Sequence, residues 1–131
     1  MATRIRGISE IVLNVHEVGK ALEFYRDVLG LTVISPPSMQ DRIFLEAGGA
    51  PTGVPQMIVL MPLGPESSTF ASPRSLHHLA FEISASDFDS ELERLKGLGY
   101  NVRVGRHLVV SAKTMYIDDP DGNEVALICK R

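Results

Sequence analysis

The sequence predicts an α+β fold made of two βαβββ repeats that curl a mixed sheet into a half-barrel around a cleft. Three observations carry this expectation. A strand-like alternation near the start gives way at once to a helical stripe; the same order returns in the second half; and the two halves align. E10-I-V-L-N-V matches H78-L-A-F-E-I, and L29-G-L-T-V33 matches L98-G-Y-N-V102.

In the first repeat, residues 8–15 place Ile11, Leu13 and Val15 on one face and Glu10, Val12 and Asn14 on the other. Residues 17–31 then switch to helical spacing, with Val18, Ala21, Leu22, Tyr25, Val28 and Leu29 on one stripe and Gly30 as the stop. Strands are expected over 31–34, 42–47 and 56–61, separated by Pro36-Pro37 and G48-G-A-P-T-G-V-P55. The second repeat begins with alternation over 76–83. A helix follows from a Ser86 N-cap to Gly99, with Phe88, Leu92, Leu95 and Leu98 at helical spacing. Its last two strands, 114–118 and 124–129, flank Asp119-Pro120-Asp121-Gly122, where proline presets the turn and glycine supplies a positive φ. The repeats span 4–63 and 75–131 of a single domain, 1–131, joined by the breaker-rich connector P62-L-G-P-E-S-S-T-F-A-S-P-R-S75.

A chain of 131 residues, 44% hydrophobic, suffices for one core and is short for two ordinary domains. A net charge of −3 with scattered arginines gives no footprint for nucleic acid. The single cysteine, Cys129, forms no internal disulfide and ends an apolar strand as a small hydrophobe. No segment resembles a signal peptide or approaches the roughly 20 apolar residues of a membrane span, so a soluble cytoplasmic protein with no membrane partner is expected.

E10-I-V-L-N-V, A21-L-E-F-Y-R-D-V-L-G-L31, H78-L-A-F-E-I83 and Y116-I-D-D-P-D-G-N123 together resemble the vicinal oxygen chelate superfamily of glyoxalases, extradiol dioxygenases and bleomycin- and fosfomycin-resistance proteins. The resemblance implies a cleft with inward residues on the first, fourth, fifth and last strands. In metal-using members these strands supply His or Glu ligands to one divalent ion. Here the four positions fall on Glu10, Val59, His78 and Ala126. Two candidate metal ligands therefore remain, His78 and Glu10, and the last strand presents a methyl group where the family has glutamate. The expected cofactor is none, or a weakly held Zn, Ni, Mn or Fe ion.

Glu10 is also a candidate catalytic base, against the reading of a rim charge. Tyr116 matches a tyrosine that contacts substrate in some fosfomycin-type relatives, against a packing role. Ligand-binding candidates are Asn14 and Glu82, which occupy equivalent places in the two copies, and Met57, Val59 and Met61, an apolar wall or else part of a core or dimer contact. Arg106 and His107 lie in a stretch whose apolar centre suggests a flap over the cleft or a dimer contact, and are candidates for ligand contact; Ala126 completes the set. Alternation sends His77 to the helix-covered side, as a structural residue. Glu124, two residues before Ala126 and directly after the turn, reads as solvated. The expected partner is a small, largely apolar or aromatic molecule, held by a homodimer because two repeat edges invite pairing. The alternative is a divalent-metal-dependent lyase, isomerase or ring-cleaving dioxygenase.

Overall fold

Alternation at the start of the chain becomes β1 (Glu10–Val15). In the computed structural model, which describes residues 4–51, 53–63 and 76–131, Leu13 and Val15 are buried while Glu10, Val12 and Asn14 are exposed. The chain divides into two units, Met1–Phe70 and Ala71–Arg131. The first unit continues with α1 (Val18–Leu22), β2 (Thr32–Val33), β3 (Ile43–Gly48) and β4 (Gln56–Pro62). Its sheet runs β1-β4-β3-β2, with β1 parallel to β4 and the other pairs antiparallel.

Helical spacing over 17–31 holds for a turn and a half and then changes. A π-helical turn, Glu23–Val28, follows α1, and the Leu29 N–H donates five residues back to the Phe24 carbonyl at 2.9 Å. The extra residue in the turn rotates the apolar stripe, so Phe24, off the predicted stripe, is buried beside Tyr25 with their rings edge-on at 4.9 Å. Gly30 ends the helix at φ 85°. A methyl group there meets nothing within 4 Å, so Gly30→Ala tests the backbone alone and is expected to cost about 1 kcal/mol in urea unfolding. Gly19 lies inside α1, equally unobstructed and without the positive φ, so Gly19→Ala is expected to stabilise by about 0.5 kcal/mol. Equal signs for the two variants would refute the assigned backbone conformations.

The second unit holds β5 (His78–Glu82), α2 (Phe88–Gly97), β6 (Arg103–Arg106), β7 (Ala112–Asp118) and β8 (Glu124–Lys130), in sheet order β5-β8-β7-β6. This is the order of the first unit, as the aligned motifs predict. Ser86 is not the N-cap: it sits inside a 3₁₀ turn, Ala85–Asp87, that leads into α2, and the Ser90 hydroxyl donates to the Asp87 carbonyl at 3.0 Å. Leu79, Met115, Ile117, Val125, Leu127 and Cys129 are buried on one face of this sheet. On that face Lys113 reaches over the Phe88 ring of α2 at 4.5 Å, which identifies it as the helix-covered side. The predicted connector falls largely on residues 64–75, outside the described residues. Among the described residues no helix is long and apolar enough to cross a membrane.

Candidate functional site

Strand register decides which side chains share the face of the second sheet turned away from α2. β5 runs parallel to β8, bringing His78 level with Glu124, Ala80 with Ala126 and Glu82 with Ile128. β7 then sets Asp118 against Glu124, Tyr116 against Ala126 and Thr114 against Ile128, and β6 sets Arg103 against Tyr116 and Gly105 against Thr114. Ladder partners project from the same side. The face therefore carries three rows: His78, Glu124 and Asp118 at one end, Ala80, Ala126, Tyr116 and Arg103 in the middle, and Glu82, Ile128 and Thr114 at the other.

The first row holds the polar chemistry. His78 meets Tyr116 edge-on, with ring centroids 6.1 Å apart. Alternation assigns His77 to the opposite side, but β5 begins only at His78, so strand alternation does not govern its neighbour. The His77 ring folds back instead, its Nδ1 2.8 Å from Nδ1 of His78. Glu124 differs from expectation in the same direction. Its distance from Ala126 along β8 is real, but the parallel register puts Glu124, not Ala126, level with His78. Ligand atoms of His77, His78 and Glu124 all lie within 4.8 Å of one another. Arg103 extends along the row, donating to Asp118 at 2.9 Å and reaching Oε2 of Glu124 at 3.4 Å.

The middle row is floored by small side chains. Ala126 is 1% exposed, while Ala80 beside it is open to solvent. At the far end a cavity of about 390 Å³ is lined by Glu82, Ile128, Lys130, Cys129, Ala112, Ser111 and Val110. Its walls are mainly apolar, with the Glu82 carboxylate and the Lys130 ammonium as polar groups. Nearby, Thr114 Oγ1 is buried without a hydrogen-bond partner.

Arg106 and His107 occupy different surroundings. Arg106 pairs with Lys113 and so lies on the α2 side, whereas Arg103, three residues earlier, is the arginine on the His78 face. His107 turns into its own loop, where Nδ1 accepts the backbone N–H groups of Val109 at 3.1 Å and Val110 at 3.0 Å. That loop exposes Leu108 and Val109 almost completely.

In the first unit, Glu10 is level with Met57, Val12 with Val59 and Asn14 with Met61, so these six share the face opposite the buried Leu13, Ile58 and Leu60. Glu10 and Asn14 are exposed, Met57 and Met61 half-buried, and Val59 is buried at 2%. Of the functional candidates, sequence reasoning set aside His77 and Glu124 and did not single out Arg103. An HH pair at the mouth of a strand and an acidic residue directly after the hairpin were the available signals.

The model of the Glyoxalase/Bleomycin resistance protein/Dioxygenase superfamily matches residues 7–127. The metallothiol transferase FosB of Staphylococcus haemolyticus is 29% identical over 126 residues, covering 94% of this chain and 83% of that protein. FosB of Staphylococcus epidermidis matches with the same identity and coverage. Among solved structures, a putative glyoxalase family protein from Bacillus anthracis aligns with a TM-score of 0.74 at 20% identity, over 100% of both chains. The fosfomycin resistance protein FosX of Listeria monocytogenes aligns with a TM-score of 0.66 at 21% identity, over 97% of this chain and 95% of that one.

Proposed function

The chain belongs to the Glyoxalase/Bleomycin resistance protein/Dioxygenase superfamily, and from that premise we propose that it binds a small, largely apolar or aromatic molecule without using the family's own metal set. The metal of that set does not fit the residues present. Of its four positions, Val59 and Ala126 carry no donor atom, and both are buried. Two donors would leave an ion held mostly by water, short of the three protein ligands typical of open catalytic sites.

The observation that carries the ligand-binding reading is the 390 Å³ cavity at the Glu82 end of the open face. Its size falls in the range of small-molecule pockets, and apolar walls with a few polar groups are their usual chemistry. Val110, Ala112 and Ile128 supply the apolar area, and Glu82 or Lys130 would orient a polar substituent. The alanine floor beside the cavity leaves room for a flat ring to extend towards the His78–Tyr116 pair.

Ser111 is exposed at the cavity wall, so Ser111→Trp blocks the space without disturbing the core. Isothermal titration in EDTA with bicyclic heteroaromatics such as quinoline and indole is expected to find a binder, and Ser111→Trp to weaken it by about tenfold, a ratio worth about 1.4 kcal/mol. Binding that needs added metal, or that ignores Ser111→Trp, would overturn this reading. A second reading, divalent-metal-dependent lyase, isomerase, dioxygenase or thiol-transfer chemistry, is favoured by the 29% identity to proteins named metallothiol transferases. Turnover abolished by EDTA would select it.

A further inference from the structure

We propose that His77, His78 and Glu124 form a divalent transition-metal site displaced from the family's ligand positions. The site would replace the lost donor at Ala126 with two residues that the family set does not use. Metal binding at this corner and ligand binding in the cavity at the far end of the face are separate properties, and either can hold without the other.

Three features of the corner support the assignment. First, the donor set is two imidazoles and one carboxylate, with all ligand atoms within 4.8 Å of one another. Three such protein ligands with an open fourth position match the composition of open zinc sites. Second, the Nδ1 atoms of His77 and His78 face each other at 2.8 Å. At this distance one Nδ1 donates its hydrogen to the other, so both nitrogens converge on one point, and an entering ion would displace the shared hydrogen as the donor ring moves to its Nε2–H tautomer. Tetrahedral Zn–N bonds near 2.0 Å would hold the two nitrogens roughly 3.3 Å apart, so the rings need only a small opening. Both rings are exposed, and the edge-on contact of His78 with Tyr116 leaves them room to turn. Third, Glu124 is placed by the sheet and not by a loop, because β8 lies between β5 and β7 and Glu124 is paired on both sides.

Arg103 bears directly on the same carboxylate. It approaches Oε2 of Glu124 at 3.4 Å, long for a charge-assisted hydrogen bond, while its shorter contact is to Asp118 at 2.9 Å. An incoming cation can therefore take Glu124 while Arg103 keeps Asp118. The guanidinium charge beside the ion lowers its affinity, which makes this a weak site whose strength Arg103 sets. A nitrogen-rich set favours Zn, Ni and Cu over Mn, and gives Mg and Ca little purchase.

The test is isothermal titration of ZnCl₂ into chelator-stripped full-length protein, with the Co²⁺ absorption spectrum as a second readout of ligand geometry. Wild-type protein is expected to bind one Zn per chain. His77→Ala and Glu124→Gln are each expected to weaken binding at least roughly tenfold, since even groups behind metal ligands are worth that much. Arg103→Gln is expected to tighten it several-fold, and Glu10→Gln to leave it unchanged. His77 and Glu10 are exposed, so these variants should fold normally, which circular dichroism would verify. Absence of Zn binding in wild type overturns the assignment. So does the reverse pattern, in which Glu10→Gln abolishes binding and His77→Ala does not, because the ion would then use the inherited positions. Neither result bears on ligand binding measured in EDTA.

Discussion

Asp119→Ala is expected to lower the unfolding free energy by about 3 kcal/mol, read as a lower urea midpoint with an unchanged slope. Asp119 is 5% exposed, and its carboxylate organises the hairpin that carries β7 into β8. One oxygen accepts the backbone N–H groups of Asp121 at 2.9 Å and Asn123 at 2.8 Å, and the other accepts the Asn123 side-chain amide at 2.9 Å. Alanine would remove the acceptor of all three bonds, and losing a buried acceptor of this kind costs about 1–3 kcal/mol per bond before relaxation. Asp119→Asn keeps an acceptor in place and should recover part of the loss. A change within about 0.5 kcal/mol, the scale of an ordinary surface substitution, would mean that the turn holds its shape without this network. The effect reaches the functional face because Glu124 follows the turn directly.

Ala126→Glu should be destabilising without metal, by about 2–4 kcal/mol, because it introduces a carboxylate where the native methyl is 1% exposed. The new group would stand between Ala80 and Tyr116, in the row next to His78. Zinc should then restore stability through linkage, by about 2.7 kcal/mol at a free concentration of a hundred times the dissociation constant. The double variant Ala126→Glu/His78→Ala should show the loss without the rescue. Thermal unfolding with and without ZnCl₂ measures both. If Ala126→Glu matched wild type and ignored zinc, the alanine would not be what separates this chain from the family's metal-using members.

Local chemistry made much of the molecule legible. DPDG specified the hairpin, Gly30 and Gly99 marked helix ends at positive φ, and period-two alternation sorted β1 and β5 into covered and open faces. Three departures share a cause. The π turn brought Phe24 inward, a 3₁₀ turn replaced the Ser86 cap, and His107 spent its Nδ1 on the amides of its own loop. Each is a choice among nearly equal local geometries that packing and hydrogen bonding settle, and residue type alone does not distinguish them.

By itself the sequence determined the α+β repeat and the superfamily, and set an alanine at 126 where the resemblance implies a glutamate, because these depend on residue identity and on periodicity along one strand or helix. Only the tertiary structure decided that Glu124 stands level with His78 and that His77 turns to the same side. The reason is that parallel register is set by how two strands 46 residues apart pack on a common helix-covered core, and neither strand carries that offset in its own alternation.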